Sequence, residues 1–134
     1  AREAIESLQA AYFFDLIDHG TKLVARLRSE AEVLSVTSDA LVVRNDPGAL
    51  EQDRLQELEL PARVEVQHVS RARRFETGMQ YAAMPGTNAH GVLALPLPLS
   101  LSDTQARLIA EATLSGLWLK RRSVRLRLGA AQLA

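Results

Sequence analysis

The sequence predicts a mainly β fold with added α structure: a small β-barrel, or a strongly bent antiparallel sheet, flanked by an N-terminal and a C-terminal helix. Three observations carry this reading. Apolar residues recur at helical spacing near both ends of the chain, at Ile5, Leu8, Tyr12, Phe13 and Leu16 and again from Ala106 to Trp118. Between them the period drops to two, in short runs rich in Val and Leu. Turn-forming clusters separate those runs, notably Asn45-Asp46-Pro47-Gly48 and Pro85-Gly86-Thr87-Asn88.

Composition is consistent with one folded domain. The chain has 134 residues, 47% of them apolar and 24% charged, which separates it from disordered sequences. Cysteine is absent, which excludes disulfide scaffolds, thiolate metal sites and thiol nucleophiles. Sixteen basic residues balance sixteen acidic ones, and this argues against a nucleic-acid-binding role. The nearly uncharged stretch from Gly78 to Ser102 is broken by Pro85, Pro96 and Pro98, so no membrane span is expected. Arg2, Glu3 and Glu6 occupy the region where an export signal would be apolar, and the expected location is the cytoplasm.

The elements follow in order. Residues 2–18 read as an amphipathic helix with Gly20 as its stop, giving an N-terminal unit over residues 1–20. A barrel is expected over 21–101. In it, Leu23, Ala25 and Leu27 alternate with Lys22, Arg26 and Arg28 as a half-buried strand, and Glu32–Val36 with Ala40–Arg44 read as a hairpin. Residues 49–60 fit either a short helix or a loop leading into a strand at 58–60. Arg63–Val69 alternates again, Ser70–Arg74 is a polar connection, and Phe75, Thr77, Met79 and Tyr81 share a strand face. Val92–Leu99 is extended, but Pro96 and Pro98 remove ladder donors, so it belongs at a sheet edge or forms a strap. A C-terminal helix is expected over 102–120, with Ser102 and Gln105 as a capping box. Residues 121–134 form a basic strand or tail in which Val124, Leu126 and Leu128 alternate with Ser123, Arg125 and Arg127.

Catalytic chemistry finds little support. His19, His68 and His90 stand on separate elements, so no metal and no cofactor is expected; His68 shares its register with Val64 and Val66 and reads as a partly buried strand residue. The pairs Asp15/Asp18 and Glu57/Glu59 lack a nearby nucleophile or base and read as solvated faces. No phosphate-cradling glycine loop or nucleophile elbow occurs. The expectation is that the chain is not an enzyme. What remains is basic: Arg71, Arg73 and Arg74 in the polar connection, and Arg121, Arg122, Arg125 and Arg127 from a helix end into a strand. Guanidinium groups grip phosphate with paired hydrogen bonds and stack on bases, so Arg71, Arg74, Arg121, Arg122 and Arg125 are candidate ligand-binding residues. Tyr12, Phe13 and Phe14 put aromatic rings on more than one side of the first helix, and Tyr12 and Phe14 are candidate contacts to a partner or to a second copy.

Two segments together resemble the PilZ domain, a bacterial β-barrel that binds cyclic di-GMP. In Glu32–Val43 the family's Asp/Asn-x-Ser-x-x-Gly motif corresponds to Ser35, Thr37 and Ala40, so its acidic residue, serine and glycine are all replaced. Ala62–Val69 followed by Arg74–Tyr81 is similar to the family's closing hairpin, with Gly78 and Tyr81 matching its Gly-x-x-aromatic pattern. No Arg-x-x-x-Arg precedes the first strand; that spacing occurs instead at Arg121–Arg125. The resemblance implies a degenerate barrel without the usual ligand motifs, acting as a non-catalytic regulatory or protein-interaction module with a protein partner or self-association. Two alternatives stand beside it. One is a cyclic di-GMP receptor using Arg121, Arg122 and Arg125 with help from the Arg71–Arg74 turn. The other is an assembly or secretion component of unrelated fold.

Overall fold

A computed structural model describes residues 2–28, 37 and 50–126. Helix α1 (Arg2–Tyr12) is shorter than the helical periodicity suggests. Phe13 turns the chain at φ 53°, and Phe14–Asp18 forms strand β1, paired antiparallel with β2 (Leu23–Leu27). Phe14 and Leu16 satisfy a period of two as well as a helical stripe, and over so short a window the two periods cannot be told apart. Gly20, at φ 80°, is therefore the turn of a hairpin and not the stop of a helix; its amide donates to the Asp18 carboxylate at 2.7 Å. β2 also departs from expectation: Leu23 and Leu27 are exposed, so the strand is not half-buried.

The expected hairpin over 32–44 and the turn at 45–48 lie outside the described residues. Residues 49–60 follow neither alternative expected of them. Leu50–Arg54 forms β3, and a single 3-10 turn follows at Glu57–Glu59. β3 finds its partner at the far end of the chain, in β7 (Arg122–Leu126), with Glu51 opposite Arg125 and Gln52 opposite Val124. Leu128, expected to extend that last strand, is outside the described residues.

The main sheet is built as the alternation requires. β4 (Pro61–Ser70) is its central strand, β5 (Glu76–Ala83) lies antiparallel on one side, and β6 (Gly91–Leu101) lies parallel on the other. Residues 84–90 carry the chain across the start of β4, where the Met84 amide donates to the Ala62 carbonyl at 2.8 Å and Gly91 stands opposite Pro61. That crossing sets the parallel pairing. Pro96 and Pro98 fall on an edge strand, as their missing donors demand, and the β4–β6 register shifts between Gln67 and Val69.

Helix α2 (Asp103–Leu119) covers one face of this sheet. Its start is the expected capping box: the Gln105 amide donates to the Ser102 hydroxyl oxygen, and the Gln105 side chain accepts from the Ser102 amide. Ala106, Ala110 and Leu114 meet Val64, Val66 and Ala82 in the core, with Ala11 of α1 and Leu97 and Leu101 of β6 beside them. The small residues let the helix approach the sheet. Val64 and Val66 are fully buried, and each such side chain stabilises the fold by about 2 kcal/mol. The architecture is thus mainly β with two helices, in open sheets. Among the described residues no barrel closes, because the strands pair in three separate sheets and the largest has one parallel pair. No described helix is long and apolar enough to cross a membrane.

Candidate functional site

The largest buried polar side chain among the described residues lies at one end of the main sheet. His68 points from β4 toward the start of α2, and its side chain is wholly shielded from solvent. Its Nε2 stands 3.1 Å from Oδ1 of Asp103, the first residue of α2, while Arg73 Nη2 donates to Oδ2 of the same carboxylate at 2.7 Å. An ionised carboxylate only accepts, so Nε2 is the donor in this contact. The buried Nδ1 has no hydrogen-bond partner. The ring needs space that only glycine provides, since a Cβ on Gly78 would fall 2.7 Å from His68 Cε1. The arrangement ties β4, the turn after it and α2 together. Among the described residues the imidazole's one hydrogen-bond partner is Asp103.

The candidate arginines separate into different roles. Arg71 and Arg74 are exposed in the turn between β4 and β5, and Arg74 takes a left-handed conformation at φ 54°. Arg73, between them, binds Asp103 at the start of α2. Arg121 follows the other end of α2, about 25 Å away at 1.5 Å per residue, so the two clusters do not converge on one ligand. Arg121 also faces inward. Its Nε donates to the Leu55 carbonyl at 3.2 Å, its guanidinium lies 6.0 Å from the Trp118 ring, and Glu57 is 3.9 Å away. The Glu57 carboxyl is held below the usual carboxylate range, first by the Thr87 hydroxyl at 2.6 Å and then by the Asn88 amide. Arg125 reaches Glu51 across the ribbon at 3.5 Å. Arg122 is exposed and stands opposite Arg54, a residue with no distinguishing sequence signal because the pairing joins distant parts of the chain.

The aromatic candidates also divide. Tyr12 is exposed and borders an apolar cleft of about 340 Å³ between the end of α1 and α2, lined by Ala11, Phe13, Leu101, Leu108 and Ile109. Phe14 is half-buried on β1 opposite Leu27, and its neighbour Phe13 packs against the core instead. Asp15, expected on a solvated helix face, is on β1 and accepts from Arg28 Nε and Nη2 at 3.0 and 2.8 Å. That bond holds its carboxyl below the usual range. No cluster of three or more metal-ligating side chains occurs among the described residues.

Comparison with known proteins supplies the context that the geometry lacks. A family model described as "Putative phage tail protein" matches residues 1–134. Among solved structures, a chain from the "Virion of native gene transfer agent (GTA) particle" is similar in fold, with a TM-score of 0.85 and 25% sequence identity. The likeness covers 97% of this chain and 30% of that one, so the chain spans less than a third of the length of its structural relative. No curated protein matches. These findings overturn the PilZ resemblance, and with it the implied cyclic di-GMP signalling. The alternation of strand residues that suggested PilZ is shared by many β folds, and the motif positions that would have distinguished the family were already replaced.

Proposed function

The chain belongs to the phage tail protein family whose model spans its whole length, and from this we propose that it is a structural module of a tail or tail-like particle, working by contact with other proteins rather than by catalysis. The observation that carries the reading is the match in fold to a gene transfer agent virion chain over 97% of the present sequence. Its place is then in a particle, not free in the cytoplasm. The alternative of an assembly component with an unrelated fold is the one this reading takes up.

The distribution of apolar surface supports it. The β1–β2 and β3–β7 ladders are two-stranded, and an isolated pair of strands is marginal in water. Leu23, Leu27, Val124 and Leu126 are exposed on them, and Met79, Tyr81 and Val92 are exposed on the main-sheet face that α2 leaves bare. Such surface marks contact sites when it is contiguous. Tyr12, beside its apolar cleft, belongs in this reading to a contact with a neighbouring protein.

The test is localisation. Particles purified from a producing culture are expected to contain the chain in a fixed ratio to the other tail proteins, with gold-labelled antibody against it decorating the tail. Recovery only in the soluble fraction, with none in purified particles, would remove the proposal.

A further inference from the structure

The β3–β7 ribbon has two unlike faces. On one, Glu51 and Arg125 form an ion pair at 3.5 Å and Asp53 stands opposite Ser123, so this face carries two carboxylates to one guanidinium. On the other, Arg54 stands opposite Arg122 and Gln52 opposite Val124, with Leu126 further along. The Leu55 amide donates to the Arg121 carbonyl at 2.9 Å, which makes those two residues a hydrogen-bonded pair. By alternation Arg54 and Arg122 form a non-hydrogen-bonded pair, the kind in which side chains stand closest. Like charges in that position destabilise a ladder. Neither guanidinium has a hydrogen-bond or ion-pair partner among the described residues. Glu57 lies within reach of the Arg54 charge, but its carboxylate is engaged by Thr87 and Asn88. Val124 and Leu126, on the same face, are 53% and 43% exposed.

We propose that this face docks an acidic segment of a partner protein, with an Asp or Glu carboxylate seated between Arg54 and Arg122 and apolar side chains laid over Val124 and Leu126. Charge complementarity chooses the carboxylate, because the guanidinium fork matches it and relieves the repulsion. A nucleic acid fits less well. The apolar half of the face offers nothing to a sugar–phosphate backbone, and none of these side chains is aromatic, so bases have no stacking platform. That the partner is a particle protein rests on the virion reading above; the chemistry of the face does not.

Two experiments separate these. In the first, the full chain is titrated with a fluorescein-labelled peptide of alternating valine and glutamate, and with its valine–lysine counterpart, by fluorescence anisotropy. The acidic peptide is expected to bind, more weakly as salt rises, and the lysine peptide not to. Arg54→Glu with Arg122→Glu is expected to weaken binding about tenfold, and Arg125→Ala, on the opposite face, to leave it unchanged. Arg122→Gln keeps the fold testable. It is expected to stabilise the isolated chain by removing like-charge repulsion while losing affinity, a combination that a purely structural role would not produce. Equal binding of both peptides, or no loss in the double variant, overturns the proposal.

The second experiment uses the absence of cysteine from the sequence. Val124→Cys is expected to resist maleimide labelling in assembled particles and to react in the isolated chain, while Arg125→Cys reacts in both. Labelling at position 124 in particles that contain the chain overturns the proposal, as does protection that nuclease treatment removes. Absence of the chain from particles would instead overturn the virion reading, and the peptide titration would still decide the chemistry of the face.

Discussion

A Cβ placed on Gly78 would lie 2.7 Å from Cε1 and 2.9 Å from Nε2 of His68, so the two residues occupy one volume that only glycine and imidazole share. The ring cannot yield easily, because it is fully buried and Nε2 is held by Asp103. Gly78 is buried in mid-strand opposite His68, and the need for it comes from packing and not from a positive φ.

Gly78→Ala is therefore expected to destabilise the chain by about 2 kcal/mol, as overpacking of a rigid core site does. Urea denaturation of the single variants and of Gly78→Ala with His68→Ala measures this. The double variant should be less destabilised than the sum of the two, since removing the ring makes room for the methyl group. Strict additivity would contradict the shared volume.

The Asp15–Arg28 bond makes the β1–β2 hairpin sensitive to acid. Asp15 in the folded chain lies below its ordinary value of 3.8, chiefly because of the Arg28 hydrogen bond. A group lowered on folding contributes its stabilisation above the unfolded value and loses it as pH falls through the folded one. Amide exchange over residues 14–28 should accelerate as pH drops below about 4, after correction for intrinsic exchange. In Asp15→Asn that part of the pH dependence should vanish; its persistence would assign the effect to another group.

Ser102 caps α2 through the Gln105 amide at 3.2 Å, and the Ser102 amide in turn donates to the Gln105 side chain at 3.0 Å. Ser102→Ala is expected to cost about 1 kcal/mol. Ser102→Asp, which keeps an acceptor and suits the positive helix N-terminus, should restore most of it. The midpoint of thermal unfolding followed by circular dichroism reads both changes.

Arg121 and Arg125 look alike in the sequence and should behave differently on substitution. Arg121 is mostly shielded, and it closes the segment after β3 through the Leu55 carbonyl. Arg125 is exposed and makes one surface ion pair. Arg121→Ala is expected to lower stability by about 1–2 kcal/mol and Arg125→Ala by less than about 0.5 kcal/mol. Equal effects in urea denaturation would mean that burial does not distinguish them.

Local patterning determined a large share of this protein. The edge position of β6 follows from Pro96 and Pro98, the extent and cap of α2 follow from Ser102, Gln105 and the Ala106–Leu114 stripe, and the core face of β4 follows from Val64, Val66 and His68. Each is fixed by interactions within a few residues or by a period that one strand reveals alone. The tertiary structure alone decided what depends on distant neighbours. Phe14–Asp18 is strand and not helix because β2 is there to pair with it, and β6 runs parallel because residues 84–90 cross over β4. Arg121 turns inward because Leu55 offers its carbonyl, while Arg122 meets Arg54 because two ends of the chain share a ladder. Periodicity reports which face of an element is apolar. It carries no record of which other element will lie against that face, and the roles of these arginines were set by that second choice.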